Sequence, residues 1–122
     1  MGISGNNNRK KGEEYENQAA QYLQQKGFRI LEHNFYSHCG EIDLVAKDKD
    51  YLVFVEVKYR KNDRGGHPLE TVDVRKQRRV CRTAEYYCLS HGLGETTPCR
   101  FDVVGIIGNE IIHVEDAFLS YK

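Results

Sequence analysis

The stretch YLVFVEVKYR, residues 51–60, is apolar on both of the faces that a β-strand presents. A chain that contains it must build a sheet buried on both sides. Side chains alternate along a strand, so Leu52, Phe54, Glu56 and Lys58 share one face, and Val53, Val55 and Val57 share the other. A solvated charged face would not begin with Leu and Phe. The two charges therefore sit where the strand leaves the core, and something there must compensate them.

The rest of the chain supplies the cover. KGEEYENQAAQYLQQKG places Tyr15, Ala19, Tyr22 and Leu23 on one stripe, with acidic residues in its first turn and Gly27 just past its end, which predicts an amphipathic helix. FRILEHNF, GEIDLVA and YLVFVEVKYR read as three strands, the last two joined as a hairpin across KDKD. A Gly-bearing loop, KNDRGGH, and Pro68 lead into a second helix from about Val72 to Ser90, with the stripe Val80, Ala84, Tyr87 and Cys88. RFDVVGII and EIIHV make a second hairpin across GNE. The order αβββαββ indicates an α/β domain, a mixed sheet flanked by helices, over residues 12–122, with residues 1–11 as a flexible Gly/Asn-rich lead-in.

At 122 residues the chain is one domain by length, and its 18 basic and 18 acidic residues cancel. Net charge therefore names no partner, and only its distribution carries information. No apolar run reaches the ~18 residues of a spanning helix and the N-terminus lacks an apolar signal core, so a cytoplasmic location is expected. Cys39, Cys81, Cys88 and Cys99 lack C-x-x-C spacing and read as reduced, structural thiols. The five histidines are scattered without a ligand pattern.

A second carboxylate interrupts a hydrophobic strand in GEIDLVA, where Asp43 shares a face with Glu41 and Val45, and Ile42, Leu44 and Ala46 share the other. A two-residue Lys49–Asp50 turn sets Asp43 directly across from Glu56, with Cβ atoms ~5 Å apart. Carboxylates that close repel unless a proton or cation lies between them. Lys58 neutralises them in part, and a hard divalent cation such as Mg²⁺ or Mn²⁺ does so more completely. That arrangement suits phosphodiester hydrolysis, in which a carboxylate-held metal activates water and an ammonium stabilises developing charge. Asp43, Glu56 and Lys58 supply these parts, and Glu16, at the edge of the first helix's packed face, is a fourth candidate. Singly, each has a plainer explanation: a salt pair at a sheet edge for Glu56 and Lys58, a satisfied structural Asp43, a surface acid at Glu16. Their convergence favours a site.

The second helix adds Arg75, Lys76, Arg78, Arg79 and Arg82, five cations in eight residues. Such runs are usually solvated faces. Acidic i, i+4 partners are nearly absent here, so an outside anion such as a nucleic-acid backbone would relieve their mutual repulsion. Arg60, Lys61 and Arg64 extend the cationic surface beyond the strand.

GEIDLVA, LVFVEVKYR, the Lys76-Gln77-Arg78-Arg79 helix and RFDVV together resemble the YraN family of small bacterial proteins, from about Gly12 to Phe118. The resemblance implies a restriction-endonuclease-like fold of the PD-(D/E)xK type, similar to archaeal Holliday junction resolvases. It further implies a metal site from Asp43, Glu56 and the Val57 carbonyl, with Lys58 catalytic and Glu16 as the helical Glu. The Gly that usually precedes that Glu is Tyr15 here, which leaves Glu13 and Glu14 as alternatives. The expected function is a metal-dependent nuclease acting on DNA, branched or junction DNA in particular. The alternative is a nucleic-acid-binding repair accessory protein with little or no turnover. Cutting two strands symmetrically takes two sites, so a homodimer is the assembly a resolvase would use.

Overall fold

The computed structural model describes residues 3–62 and 73–118, with side chains from residue 12 onward. In chain order the elements are α1 (Ile3–Gln25), β1 (Arg29–Ser37), β2 (Gly40–Asp48), β3 (Tyr51–Arg60), α2 (Val74–Ser90), β4 (Cys99–Ile107) and β5 (Glu110–Val114). The strands form one five-stranded sheet in the order β1-β2-β3-β4-β5. Short turns make three of the pairings antiparallel, whereas α2 crosses between β3 and β4 and leaves that pair parallel. The result is a mixed sheet with two helices. Among the described residues no helix is long and apolar enough to cross a membrane.

Each face has its own core. On one side Ala19, Ala20 and Leu23 of α1 pack on Leu44, Ala46, Val53, Val55 and Val104. On the other, Val80, Cys81, Ala84 and Tyr87 of α2 pack on Val45, Leu52, Phe54 and Phe101. The central strand β3 is thus buried on both faces from Leu52 to Glu56, as its composition requires. The register Leu44↔Val55 through Asp48↔Tyr51 is the one a two-residue Lys49–Asp50 turn dictates.

Two features depart from the sequence reading. Helix α1 begins at Ile3, so Glu13, Glu14 and Glu16 lie in its body and not in its first turn. Gly and Asn each cost a helix about 1 kcal/mol or less, and a helix already held by Ala19, Ala20 and Leu23 extends backwards through such residues cheaply. Its backbone therefore covers residues 3–11, which composition had assigned to a lead-in. Second, Ile42 packs in the α2-side core although Leu44 and Ala46 pack on the α1 side, so the regular alternation expected for β2 breaks at Asp43. In the neighbouring strand Asn34 adopts the left-handed φ of 52°. Both strands are thus irregular where Asn34 and Asp43 lie, between the pairs His33↔Leu44 and Phe35↔Ile42.

The start of β2 is fixed by close approach. Gly40 has φ +152°, and a Cβ at that position would lie 3.3 Å from Thr83 Oγ1 and 3.8 Å from Arg79 Cβ of α2. Only glycine lets the strand begin flush against the helix. Helix α2 starts where Asp73, extended at φ −80° and ψ 174°, accepts a hydrogen bond from the Lys76 N–H at 2.9 Å. Arg64, Gly65, Gly66 and Pro68 lie outside the described residues.

Candidate functional site

Helix α1, the irregular stretch of β2, the second half of β3 and the first turn of α2 meet at one end of the sheet. Asp43 reaches across the hairpin: its Oδ2 accepts the Val57 N–H of β3 at 2.8 Å. The β2–β3 ladder runs only as far as Leu44↔Val55, and the side chain of Asp43 replaces the next backbone rung. Continuing that register sets Asp43 opposite Glu56. Glu56 is 7% exposed. Lys58 lies along the same strand with Nζ 3.7 Å from Glu56 Oε1.

The closer cation is Lys76, whose Nζ is 3.1 Å from the same oxygen. Within the cationic run, Lys76 is thus turned inward onto a site carboxylate and not outward to a phosphate backbone. Helix geometry explains the split: Lys76, Val80, Thr83 and Tyr87 recur at i, i+4, i+7 and i+11 on the core face. Read with the Asp73 cap, that period would have located Lys76 from sequence. Arg75, Arg78, Arg79 and Arg82 are exposed. Arg60 donates from Nη1 to the Tyr59 carbonyl at 2.9 Å, and Lys61 is exposed. Arg64 lies outside the described residues.

Of the three acids on α1, Glu13 and Glu14 are exposed, whereas Glu16 is half-buried and bonded to the Asn34 side chain. Burial raises its carboxyl above the ordinary range against that hydrogen bond, and Glu41, Glu13 and Glu56 raise it further. Beside it, Tyr15 stacks on Tyr59 of β3 with ring centroids 3.7 Å apart and planes at 11°, tying α1 to the end of the strand.

Asp43 carries the strongest sign of crowded charge. Burial, then the Glu56 carboxylate, push its carboxyl from 3.8 up to about 8, against the Val57 N–H, with Glu16 and Glu41 adding smaller upward pushes. In the unfolded chain that proton leaves near pH 4. The folded protein therefore holds more protons across the interval, and its stability falls as pH rises from about 4 to about 8, by at most ~1.4 kcal/mol per unit. In Asp43→Asn the amide oxygen can still accept the Val57 N–H, and the side chain carries no charge. Urea unfolding of Asp43→Asn from pH 5 to 8 is expected to lose this slope and to exceed the wild type in stability at pH 8. Equal slopes in the two proteins would show that Asp43 is not the group responsible.

Among the described residues no three His, Cys, Asp or Glu side chains are grouped to hold a metal by themselves. The expected donors, the Asp43 and Glu56 carboxylates and the Val57 carbonyl, would be a hard-oxygen set of the kind that suits Mg²⁺ or Mn²⁺ with water completing the shell. Burial and the neighbouring Glu56 carboxylate both raise the Asp43 carboxyl, and the charge crowding, the second of these causes, is what such an ion would relieve.

A second polar cluster was not visible in the sequence. Asp102 of β4, 1% exposed, accepts from Arg100 Nε at 2.9 Å and Nη2 at 3.0 Å, from His113 Nε2 at 2.7 Å and from the Asp116 N–H at 3.0 Å. The Lys26 ammonium lies 2.7 Å from His113 Nδ1 and has only protons to offer. Nδ1 must therefore accept, which leaves the ring proton on Nε2, facing Asp102. Arg100 also reaches Asp48 at 3.1 Å. Burial alone would raise the Asp102 carboxyl, but the bonds from His113, Arg100 and Asp116 hold it below its ordinary range. The cluster ties the turn after α1, β2, β4 and β5 together. A cavity of about 550 Å³, with Cys81, Cys88, Cys99, Leu93 and Phe101 in its wall, lies at the other end of α2 from Lys76. Burial pushes the Cys99 thiol up to about 12, which makes it a poor nucleophile.

The model of the uncharacterised protein family UPF0102 matches residues 15–106, a span that holds Glu16, Asp43, Glu56, Lys58 and Lys76 and stops short of His113. A UPF0102 protein of Lachnoclostridium phytofermentans is 50% identical over 106 residues, covering 87% of this chain and 90% of its own. Those of Chromohalobacter salexigens and Clostridioides difficile are 45% and 41% identical, covering 88% and 92% of this chain and 86% and 99% of theirs. The expected family is thereby reached from outside the motifs as well as from them, and the chain belongs to UPF0102.

Proposed function

We propose that the chain is a divalent-metal-dependent nuclease of the bacterial cytoplasm that hydrolyses phosphodiester bonds in DNA, with branched or junction DNA as its substrate class, on a restriction-endonuclease-like fold. The observation that carries this reading is the Asp43 carboxyl, driven to hold a proton near neutral pH by burial and by Glu56, with Lys58 alongside. A structural carboxylate gathers donors until it is satisfied. Asp43 instead sits among acids and, among the described residues, accepts one N–H.

Asp43, Glu56 and the Val57 carbonyl would hold Mg²⁺ or Mn²⁺. A bound ion of this kind supplies Lewis acidity and a hydroxide at neutral pH. The Lys58 ammonium is placed to stabilise charge growing on a phosphoryl oxygen, and Glu16 to accept a proton from water at the edge of the site. Arg75, Arg79 and Arg82 line the approach along α2 and neutralise phosphates. Symmetric cutting of a junction would employ a homodimer.

A second reading, a DNA-binding repair accessory protein with little turnover, draws on the Lys76–Glu56 ion pair, which already gives Glu56 a cation from within the fold. Incubation with linear, flapped and four-way DNAs in Mg²⁺ or Mn²⁺, against the same reactions in chelator, separates the two. The nuclease reading expects metal-dependent cleavage of at least one branched form. Binding of all three with no cleavage would leave the accessory reading.

A further inference from the structure

The exposed flank of α2 is not uniformly basic. Arg75, Arg79, Arg82 and Tyr86 recur at i, i+4, i+7 and i+11, so three guanidinium groups and a phenol ring form one stripe. The stripe runs beside the β1–β2 end, since Arg79 Cβ would lie 3.8 Å from a Cβ at Gly40, next to Thr83, the closer helix neighbour of that glycine. Among the described residues these three arginines have no carboxylate partner. Tyr86 is 43% exposed, and its ring meets His38 of the β1–β2 turn at 5.7 Å and 88° and Phe35 of β1 at 6.2 Å and 35°. Phe35 in turn meets His91, at the end of α2, at 6.4 Å. His38 and His91 are both exposed. A row of aromatic rings, exposed at Tyr86, His38 and His91, thus lies directly beside a row of cations with no carboxylate partner among the described residues.

That combination is what an unpaired nucleic-acid strand needs: cations for its phosphates and a ring on which a base can stack. Duplex DNA offers the cations the same phosphates, but its base faces are already stacked on one another. Resting on the reading of the protein as acting on DNA, we propose that the Tyr86–His38 ring surface takes an unpaired base of a single strand. The phosphates of that strand then follow Arg82, Arg79 and Arg75 towards the carboxylates. The path is short. Gly40, which seats Arg79, is three residues from Asp43, about 10 Å along the strand.

The test is fluorescence anisotropy in chelator with three labelled DNAs of equal length: an oligodeoxythymidine, the same strand made abasic, and a duplex. Wild type is expected to bind the thymidine strand at least about fivefold more tightly than the abasic one. Tyr86→Ala and His38→Ala should each reduce that preference, Tyr86→Phe should keep it, and duplex affinity should stay within about twofold in all three, since a merely structural role for the ring would not separate bases from backbone. Arg79→Ala and Arg82→Ala should weaken all three DNAs together and flatten the salt dependence by about one unit each. Equal binding of the abasic and thymidine strands by wild type, or an intact preference in Tyr86→Ala, would overturn the proposal while leaving the DNA reading in place if the duplex still binds. Failure to bind any of the three would remove the DNA reading along with it.

Discussion

Asp43→Asn, Glu56→Gln and Lys58→Ala are each expected to abolish DNA cleavage, by about 10³-fold or more, while unfolding as cooperatively as the wild type. In the proposed mechanism the three groups act on one phosphodiester, so the triple variant should be little worse than any single one. The substitutions follow from the geometry. An amide at position 43 keeps the acceptor for the Val57 N–H, whereas alanine there would leave a buried donor unmet at about 1–3 kcal/mol and confuse instability with lost chemistry. An amide at position 56 likewise keeps the volume beneath Lys76. Single-turnover cleavage in Mn²⁺, normalised to folded protein, reads the result. Undiminished cutting by Lys58→Ala, or by wild type in excess chelator, would sink the mechanism.

The second large effect lies at the buried Asp102. Asp102→Ala is expected to destabilise the protein by about 3–5 kcal/mol, because it takes from Arg100 the buried carboxylate that accepts from its Nε and Nη2, leaving it Asp48 and Glu115, and leaves the His113 and Asp116 N–H groups unmet. Urea unfolding at pH 7 measures it, and a loss under about 1 kcal/mol would show that the cluster is dispensable. The pH response has the opposite sign to that of Asp43. A carboxyl held below its unfolded value contributes stability above that value and loses it as pH falls through the folded one. The two acids therefore narrow the range of greatest stability from opposite sides, Asp102 at low pH and Asp43 as pH rises towards about 8.

How much of this was legible in the sequence depended on whether an interaction was local. The αβββαββ order, the doubly buried β3 and the β2–β3 register from Leu44↔Val55 to Asp48↔Tyr51 follow from alternation and turn length, which neighbours in the chain determine. The irregularity at Asp43 was not legible, because it belongs to two strands at once, Asn34 in one and Asp43 in the other. The inward turn of Lys76 was written in the helical period and the Asp73 cap, but the density of basic residues around it masked that signal. The Asp102 cluster was hidden for a further reason. Lys26 and His113 are 87 residues apart and meet only after β5 has paired with β4 and α1 has packed on the sheet. A lone Asp in a strand gives no sign of which distant cation will satisfy it.

The irregularity of β1 also bears on how the molecule avoids its own copies. With β1 at one edge of the sheet and the five-residue β5 at the other, both borders offer backbone groups that could template growth of the sheet. The shift in register between Ile30 and Glu32 and the left-handed Asn34 break the row of N–H and C=O groups along β1 into pieces too short to continue a ladder. Exposed Arg29 and His33 add charge or polarity to the same border. The irregularity that lies beside Asp43 thus blunts an edge that would otherwise invite strand-on-strand aggregation.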